Sequence, residues 1–251
     1  MIINLKSLIV ILLFLLLWEI IGRLNFVPSY LFPPFSIVLF TLTNMMLSEQ
    51  FLEAYLITLR RVIIGFTLGA AFGITCGIFL SYSKTLRESF YPLFSFLAVI
   101  PVIALLPLLM VWIGLNELLP IIMVFLCSSI PVVFNTLSGA RSINPELVKI
   151  ARTLGASDIK IIYTIILPLS LPSILSALKI EAAMAWKTCF VTEMLALSSG
   201  LGYYMLIAES TLRVDILLAS IIVLSVSCYI FYLVFEYIES NVLRRWGYNS
   251  K

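Results

Sequence analysis

The chain has 251 residues, of which 62% are hydrophobic and 12% charged, with a formal net charge of +3 and no histidine. An average soluble domain carries about 25% charged residues, so a mean hydropathy of +1.12 excludes an ordinary soluble fold, which would expose large apolar patches. The small net charge argues against a nucleic-acid partner, and the missing histidine removes the commonest metal ligand and the usual general base.

Crossing the ~30 Å hydrocarbon core takes about 20 apolar residues in a helix. Six stretches meet that length within a single domain, 1–251, and helices are the only spanning elements that runs so long and so evenly apolar allow. The first, about 5–22, reads as a retained anchor helix, because Trp18 and Glu19 stand where a signal peptide would carry a small-residue cleavage site. The core spans cover 56–238. The second span, Leu56 to Leu80, carries Gly65, Gly69, Gly73 and Gly77 on one helical face, a spacing that lets helix backbones approach closely. The third, Phe90 to Ile113, contains Pro101 and Pro107. The fourth, Leu118 to Leu137, is bracketed by Pro120 and Pro131. Each proline removes a backbone donor and kinks or breaks a helix. Such breaks are tolerated in lipid only where protein or a water-filled cavity covers the freed groups. These two spans are therefore expected to line a path.

A hydrophilic loop, 139–172, follows. It reads as two short helices around Gly155. Asn144 caps the first, with Pro145 in its first turn. Leu147, Ile150, Ala151 and Leu154 share a face, and Gly155 ends the helix. Ser157 or Asp158 caps the second helix, Ile161, Ile162 and Ile165 continue an apolar face, and Pro168 and Pro172 are expected to stop it. Such an amphipathic pair suits a groove on a partner protein or, alternatively, the lipid headgroups.

The fifth span, Ile174 to Leu197, holds Lys179, Trp186 and Glu193 at intervals of seven, within about 40° on one helix face. Lys187 lies beside that face near mid-span. Charges at this depth cost at least ~2.5–3.5 kcal/mol each, so they are expected to face protein or water. That gives Pro101, Pro107, Trp186, Lys187 and Glu193 as candidates for a translocation path, with snorkelling as the alternative for Lys179 and Glu193. Glu181 points to nearly the opposite side and is expected in a structural pair. The sixth span is Ile216 to Ile238. With the N-terminus inside, ten Lys and Arg fall on inner segments, Lys251 among them. Four fall on outer ones: Arg23, Arg60, Arg61 and Arg213. Both termini are therefore expected in the cytoplasm. Cys76, Cys127, Cys189 and Cys228 lie in apolar runs without C-x-x-C spacing and read as buried thiols.

At the loop the sequence resembles the permeases of binding-protein-dependent ATP-binding-cassette (ABC) importers, whose motif is E-A-A-x3-G-x9-I-x-L-P. Gly155 and, after nine intervening residues, Ile165-Ile166-Leu167-Pro168 match it; Lys149-Ile150 replaces Glu-Ala and Ala151 is retained. Glu181-Ala182-Ala183 mimics the motif but lies inside the fifth span and lacks a glycine at the required distance. Further strings resemble the nitrate, taurine and alkanesulfonate branch. They include Leu31 to Ser36, Thr58-Leu59-Arg60-Arg61, Ile100-Pro101, Leu106-Pro107-Leu108, Trp112-Ile113-Gly114, Asn116-Glu117, Leu154 to Ser157, Ala185-Trp186, Glu193-Met194 and Gly200-Leu201-Gly202.

The resemblance implies an all-α type I importer permease fold, with about six transmembrane helices and a cytoplasmic coupling helix. It implies that Lys149, Ala151, Leu154, Gly155, Ala156, Ser157, Leu167 and Pro168 couple to an ATPase. The implied partners are two ATPase subunits, an extracytoplasmic binding protein and a second copy of this chain in the cell membrane. The implied solute is small and polar, anionic like nitrate, sulfonate, taurine or bicarbonate, with a neutral vitamin precursor as the alternative. No G-x-x-x-x-G-K-[ST] occurs, so ATP and magnesium are expected on the partner ATPase, and no metal, cofactor or catalytic residue on this chain. An intramembrane enzyme would need a nucleophile–base pair or clustered carboxylates. An ion-gradient transporter would need a repeat with paired broken helices. The sequence offers neither.

Overall fold

The computed structural model describes residues 5–24 and 26–245, the side chains at 5, 7 and 245 excepted; Lys251 lies outside the described residues. Eleven α-helices follow one another among the described residues, with no strand. They are α1 (Leu5–Arg23), α2 (Phe35–Met46), α3 (Glu49–Tyr82), α4 (Lys84–Val99), α5 (Leu106–Ile113) and α6 (Leu118–Arg141). After them come α7 (Pro145–Thr153), α8 (Asp158–Ile161), α9 (Leu167–Ala196), α10 (Leu201–Ser210) and α11 (Val214–Arg245). The all-α membrane architecture expected from composition is the one observed.

Four helical segments among the described residues are long and apolar enough to cross a membrane: Glu49–Tyr82, Leu118–Arg141, Asp158–Ala196 and Val214–Arg244. The expected third span is not one straight helix. It is α4 followed by a 3₁₀ turn, Val102–Leu105, that leads into α5, bent by 91°. Pro101 causes the break, because a proline disfavours the helical conformation of the residue before it; Ile100 and Pro101 both have ψ near 121°. Pro107 breaks nothing, since it sits in the first turn of α5, where the missing N–H has no partner to lose. Pro120 likewise occupies the first turn of α6, and Pro131 lies within α6 without ending it. α1 is a shorter apolar helix of 19 residues with leucines and isoleucines exposed from Leu8 to Ile21.

Two further expectations are corrected. Pro168 and Pro172 do not stop the second loop helix. α8 runs through a π turn, Ile162–Ile166, into α9, so that one segment extends over Asp158–Ala196. The wider π turn relieves the clash the Pro168 ring makes with the carbonyl four residues back, and Pro172 lies inside α9 without ending it. Ser170, buried, donates from its hydroxyl to the carbonyls of Ile166 (2.6 Å) and Leu167 (3.1 Å). α2 and α10 have no counterpart among the expected spans, because at 12 and 10 residues they are too short to cross the core.

The chain divides into two compact units. The first comprises α1, α2, α3 up to Ile57, the end of α9 from Glu193, α10, and α11 up to Ser225. Within it Trp18 donates from its indole nitrogen to the carbonyl of Pro33 (3.1 Å), and Thr41 donates to Asp215 (2.9 Å). The second runs from Thr58 to Thr192 and adds α11 from Val226.

The second unit is organised by a seam between α3 and α6. A side chain on Gly65 would press on Ile121 and Val124, one on Gly69 on Phe125 and Ser128, one on Gly73 on Ser129 and Val132, and one on Gly77 on Val133 and Thr136. The nearest atom in each case would be 2.5 to 2.8 Å from the added Cβ, closer than any real Cβ tolerates. Both partner series rise together, so the two helices run parallel. The glycine face therefore packs within the chain. Arg61, one turn before Gly65, continues the series. Arg60 and Arg61, counted with the outer segments from the sequence, lie inside α3.

Candidate functional site

The loop element has the local chemistry its sequence calls for. Asn144 caps α7, its side-chain oxygen accepting from the Glu146 N–H (2.9 Å), and Pro145 opens the helix. Gly155 adopts φ +80°. The N–H of Ala156 reaches the carbonyl of Ala151 (3.0 Å) and that of Gly155 the carbonyl of Arg152 (2.9 Å), the paired bonds of a Schellman turn. Nothing lies within 4 Å of a Cβ built on Gly155, so the position demands glycine for its backbone and not for space. Ser157 caps α8 through the N–H of Lys160 (3.4 Å).

The apolar face of α7 is open. Leu147, Ile150 and Leu154 are exposed, Leu154 to 81%. With Ala151, Ile165 and Pro168 they line a groove of about 290 Å³. Leu167 opens α9 half-buried, and Lys149 points to solvent. Sequence reasoning missed Arg152. It donates to the Tyr82 hydroxyl (2.8 Å), lies over the Tyr82 ring, and approaches Asp158 at 3.6 Å. One guanidinium thus ties α7 to the end of α3 and the start of α8.

The charges of α9 separate into different roles. Lys179 pairs with Glu239 of α11 at 2.5 Å, and Ser176 donates to the other carboxylate oxygen at 2.6 Å. The missed partner had a signal: Lys179 is near the start of the fifth span, Glu239 just past the end of the antiparallel sixth. Trp186 is fully buried, edge-on to Phe231 at 5.5 Å. Glu193 is also fully buried and accepts from the Gly202 N–H (3.1 Å) at the start of α10, where the helix dipole and free N–H groups favour an anion. Gly200 has φ +96°, and a Cβ there would overlap the Glu193 carboxylate. The motifs Glu193-Met194 and Gly200-Leu201-Gly202 are therefore two halves of one cap. Glu181 is buried and, contrary to the expected pairing, makes no ion pair among the described residues.

Of the path candidates, then, Trp186 and Glu193 are enclosed by this chain, while Pro101, Pro107 and Lys187 are exposed. Lys187 lies on one stripe of α9 with exposed Ile180 and Met184. All four cysteines are free thiols, two buried and two half-buried.

Two other motif strings also meet. Glu117, just before α6, accepts from Arg60 (3.0 Å) and from two nitrogens of Arg61 (3.0 and 2.5 Å). Arg61 is fully buried and the Glu117 side chain is half-exposed. These hydrogen bonds, Arg61 first, hold the Glu117 carboxyl below the usual carboxylate range.

The family model for the binding-protein-dependent transport system inner membrane component matches residues 69–244. The taurine transport system permease protein TauC of Escherichia coli is 29% identical over 221 residues, covering 86% of this chain and 80% of TauC. SsuC of Bacillus subtilis, named for aliphatic sulfonates transport, is 32% identical and covers 84% of this chain and 76% of its own. A chain in the crystal structure of a bacterial ABC transporter involved in alginate import superposes with a TM-score of 0.68 at 20% identity. The superposition covers 94% of this chain and 93% of that one. The matched family model, these relatives and the shared fold place the chain: it belongs to the inner membrane components of binding-protein-dependent transport systems, with the type I ABC importer permease fold.

Proposed function

We propose that two copies of this chain form the translocation path of an ATP-driven importer. Its solute is small, polar and anionic, of the sulfonate type, and is handed over by a separate extracytoplasmic binding protein. Two ABC ATPases bind ATP and magnesium on the cytoplasmic side, where both termini of this chain also lie. The carrying observation is α7. It is closed at both ends by its own caps and anchored by Arg152, yet it leaves Leu147, Ile150 and Leu154 exposed beside a groove. An amphipathic helix held rigid with its apolar face uncovered is suited to a groove on a partner, and rigidity lets it transmit a push. Lys149, Ala156 and Ser157 complete the proposed docking element with Gly155, Leu167 and Pro168. The exposed Pro101, Pro107 and Lys187 are assigned to the path. A lysine on a drying surface attracts an anion and repels a cation, in keeping with relatives named for taurine and sulfonates.

Co-expression with the cognate ATPase tests the coupling. Leu154→Asp with Ile150→Asp should leave the chain inserted and folded but cut ATPase co-purification and ATP-dependent uptake at least tenfold. Undiminished uptake would overturn the assignment. For the solute, the partner binding protein is titrated with sulfonates, nitrate, neutral heterocycles and cations. Preference for a cation or a neutral heterocycle would end the anion reading and leave the coupling reading intact.

A further inference from the structure

A polar cavity distinct from the coupling groove lies between α4 and the C-terminal end of α6. It measures about 530 Å³, within the range of small-molecule sites. Arg141, Ser138, Ser142, Asn135, Tyr91 and Phe134 line it, and no carboxylate does. The α6 members follow helical spacing, Phe134, Ser138 and Arg141 lying at i, i+4 and i+7. Tyr91 of α4 meets Phe134 edge-on at 5.6 Å, which brings the two helix faces together there.

The donors are not used up by the fold. Ser142 spends its hydroxyl on the Gly139 carbonyl (2.7 Å), and Asn135 spends one amide hydrogen on the Pro131 carbonyl (2.9 Å). The Arg141 guanidinium, with five donors, is exposed and makes no ion pair among the described residues. Arg87 sits one turn before Tyr91, on the same side of α4, half-buried and likewise in no ion pair among the described residues. Lys84, the other cation of that turn, is engaged with Glu88 at 3.7 Å.

A cavity lined by a guanidinium, hydroxyls and a phenol, with no acid among its lining residues, asks for an anion with several acceptor oxygens. Its aromatic wall, Tyr91 and Phe134, is of the kind found where protein meets the membrane interface. Lys and Arg asymmetry assigns this end of α6 to the cytoplasm, where basic pockets between spans take anionic headgroups. We infer that the α4–α6 cavity is a binding site for a tetrahedral oxyanion, held by Arg141 with Ser138 and Tyr91. The phosphodiester of an anionic phospholipid and a soluble phosphate or sulfonate share that chemistry.

The test is thermal unfolding of the purified 251-residue chain in detergent, titrated with phosphatidylglycerol, phosphatidylcholine, inorganic phosphate or methanesulfonate. The expected result is a saturable rise in the midpoint with at least one oxyanion that phosphatidylcholine does not reproduce. Arg141→Gln should weaken the apparent affinity roughly tenfold or more, the loss of charge-assisted hydrogen bonds, and Arg141→Lys less. Ser138→Ala, which keeps the charge, gives a smaller loss and serves if Arg141→Gln lowers the yield of folded chain. Response to phosphatidylglycerol alone identifies a lipid site, and response to phosphate or methanesulfonate identifies a soluble one. No response to any oxyanion, or an unchanged response in the variants, overturns the inference.

Discussion

The α3–α6 seam and the exposed face of α7 are both helix surfaces made special by their side chains, yet they differ in what lies opposite. Along the seam, four glycines meet backbone carbonyls and side-chain Cβ atoms of α6 at distances that leave no room for a methyl group. On α7, three large apolar side chains meet nothing that buries them. The seam is complete within one chain, so its chemistry serves folding. The α7 face is incomplete, so its chemistry is available to a partner. Glycine shows the same contrast at single positions: Gly73 is required by its neighbours, Gly155 by its own φ of +80°. An equivalent substitution should therefore break folding at one site and coupling at the other.

Gly73→Leu should have the largest effect. A Cβ would stand 2.7 Å from Val132 Cβ and 2.8 Å from the Ser129 carbonyl oxygen. Overpacking costs about 1–3 kcal/mol where side chains can shift, and a backbone carbonyl shifts less readily. Loss of the monodisperse peak in size-exclusion chromatography is expected. A variant that elutes and melts like the native chain would show that the seam does not hold the fold.

Gly155→Pro comes next, and its effect should be functional. Proline cannot reach φ +80°, so the Schellman turn opens and the angle between α7 and α8 changes, while the spans remain. Insertion and elution should be unchanged and ATP-dependent uptake abolished. Gly155→Ala sharpens the contrast. With open space around it, the residue meets only the left-handed backbone penalty of about 1–2 kcal/mol, and uptake should fall part of the way.

Asn144→Ala removes the α7 cap at a cost of about 1 kcal/mol. Faster amide exchange confined to the first turn of α7 is expected, with unfolding of the spans unmoved. Exchange that rose equally along α3 and α6 would mean that the loop and the seam are one cooperative unit.

The smallest effect concerns pH at the Glu117 end of the seam. Arg61 chiefly, with Arg60, lowers the Glu117 carboxyl below its ordinary value. The native value therefore lies below the unfolded one of about 4.3. The contribution is present above that pH and is lost as pH falls through the native value. Glu117 is half-exposed, so screening keeps the effect modest. The midpoint of thermal unfolding should fall more steeply below about pH 4 in the native chain than in Glu117→Gln. Parallel curves would exclude a role for this pair.

Much of this was legible in order along the chain. Composition determined the solvent, because so apolar a surface is stable only against lipid. Four-residue glycine spacing determined a close-packing face, and Asn144-Pro145 with Gly155 determined the ends of α7, because caps and turns depend on residues within a few positions. Tertiary structure decided what stands opposite each face. The glycines could have met another chain but meet α6. Glu193, spaced like a path residue, turns inward and accepts from the Gly202 N–H at the start of α10. Lys179 finds Glu239, sixty residues away. The proline signals were the least reliable for the same reason: Pro101 turns the chain by 91°, whereas Pro168 follows a π turn and Pro172 lies within α9, and neither ends the helix. A proline only withdraws a donor, and whether the helix continues depends on what the surrounding backbone can do with the carbonyl left behind.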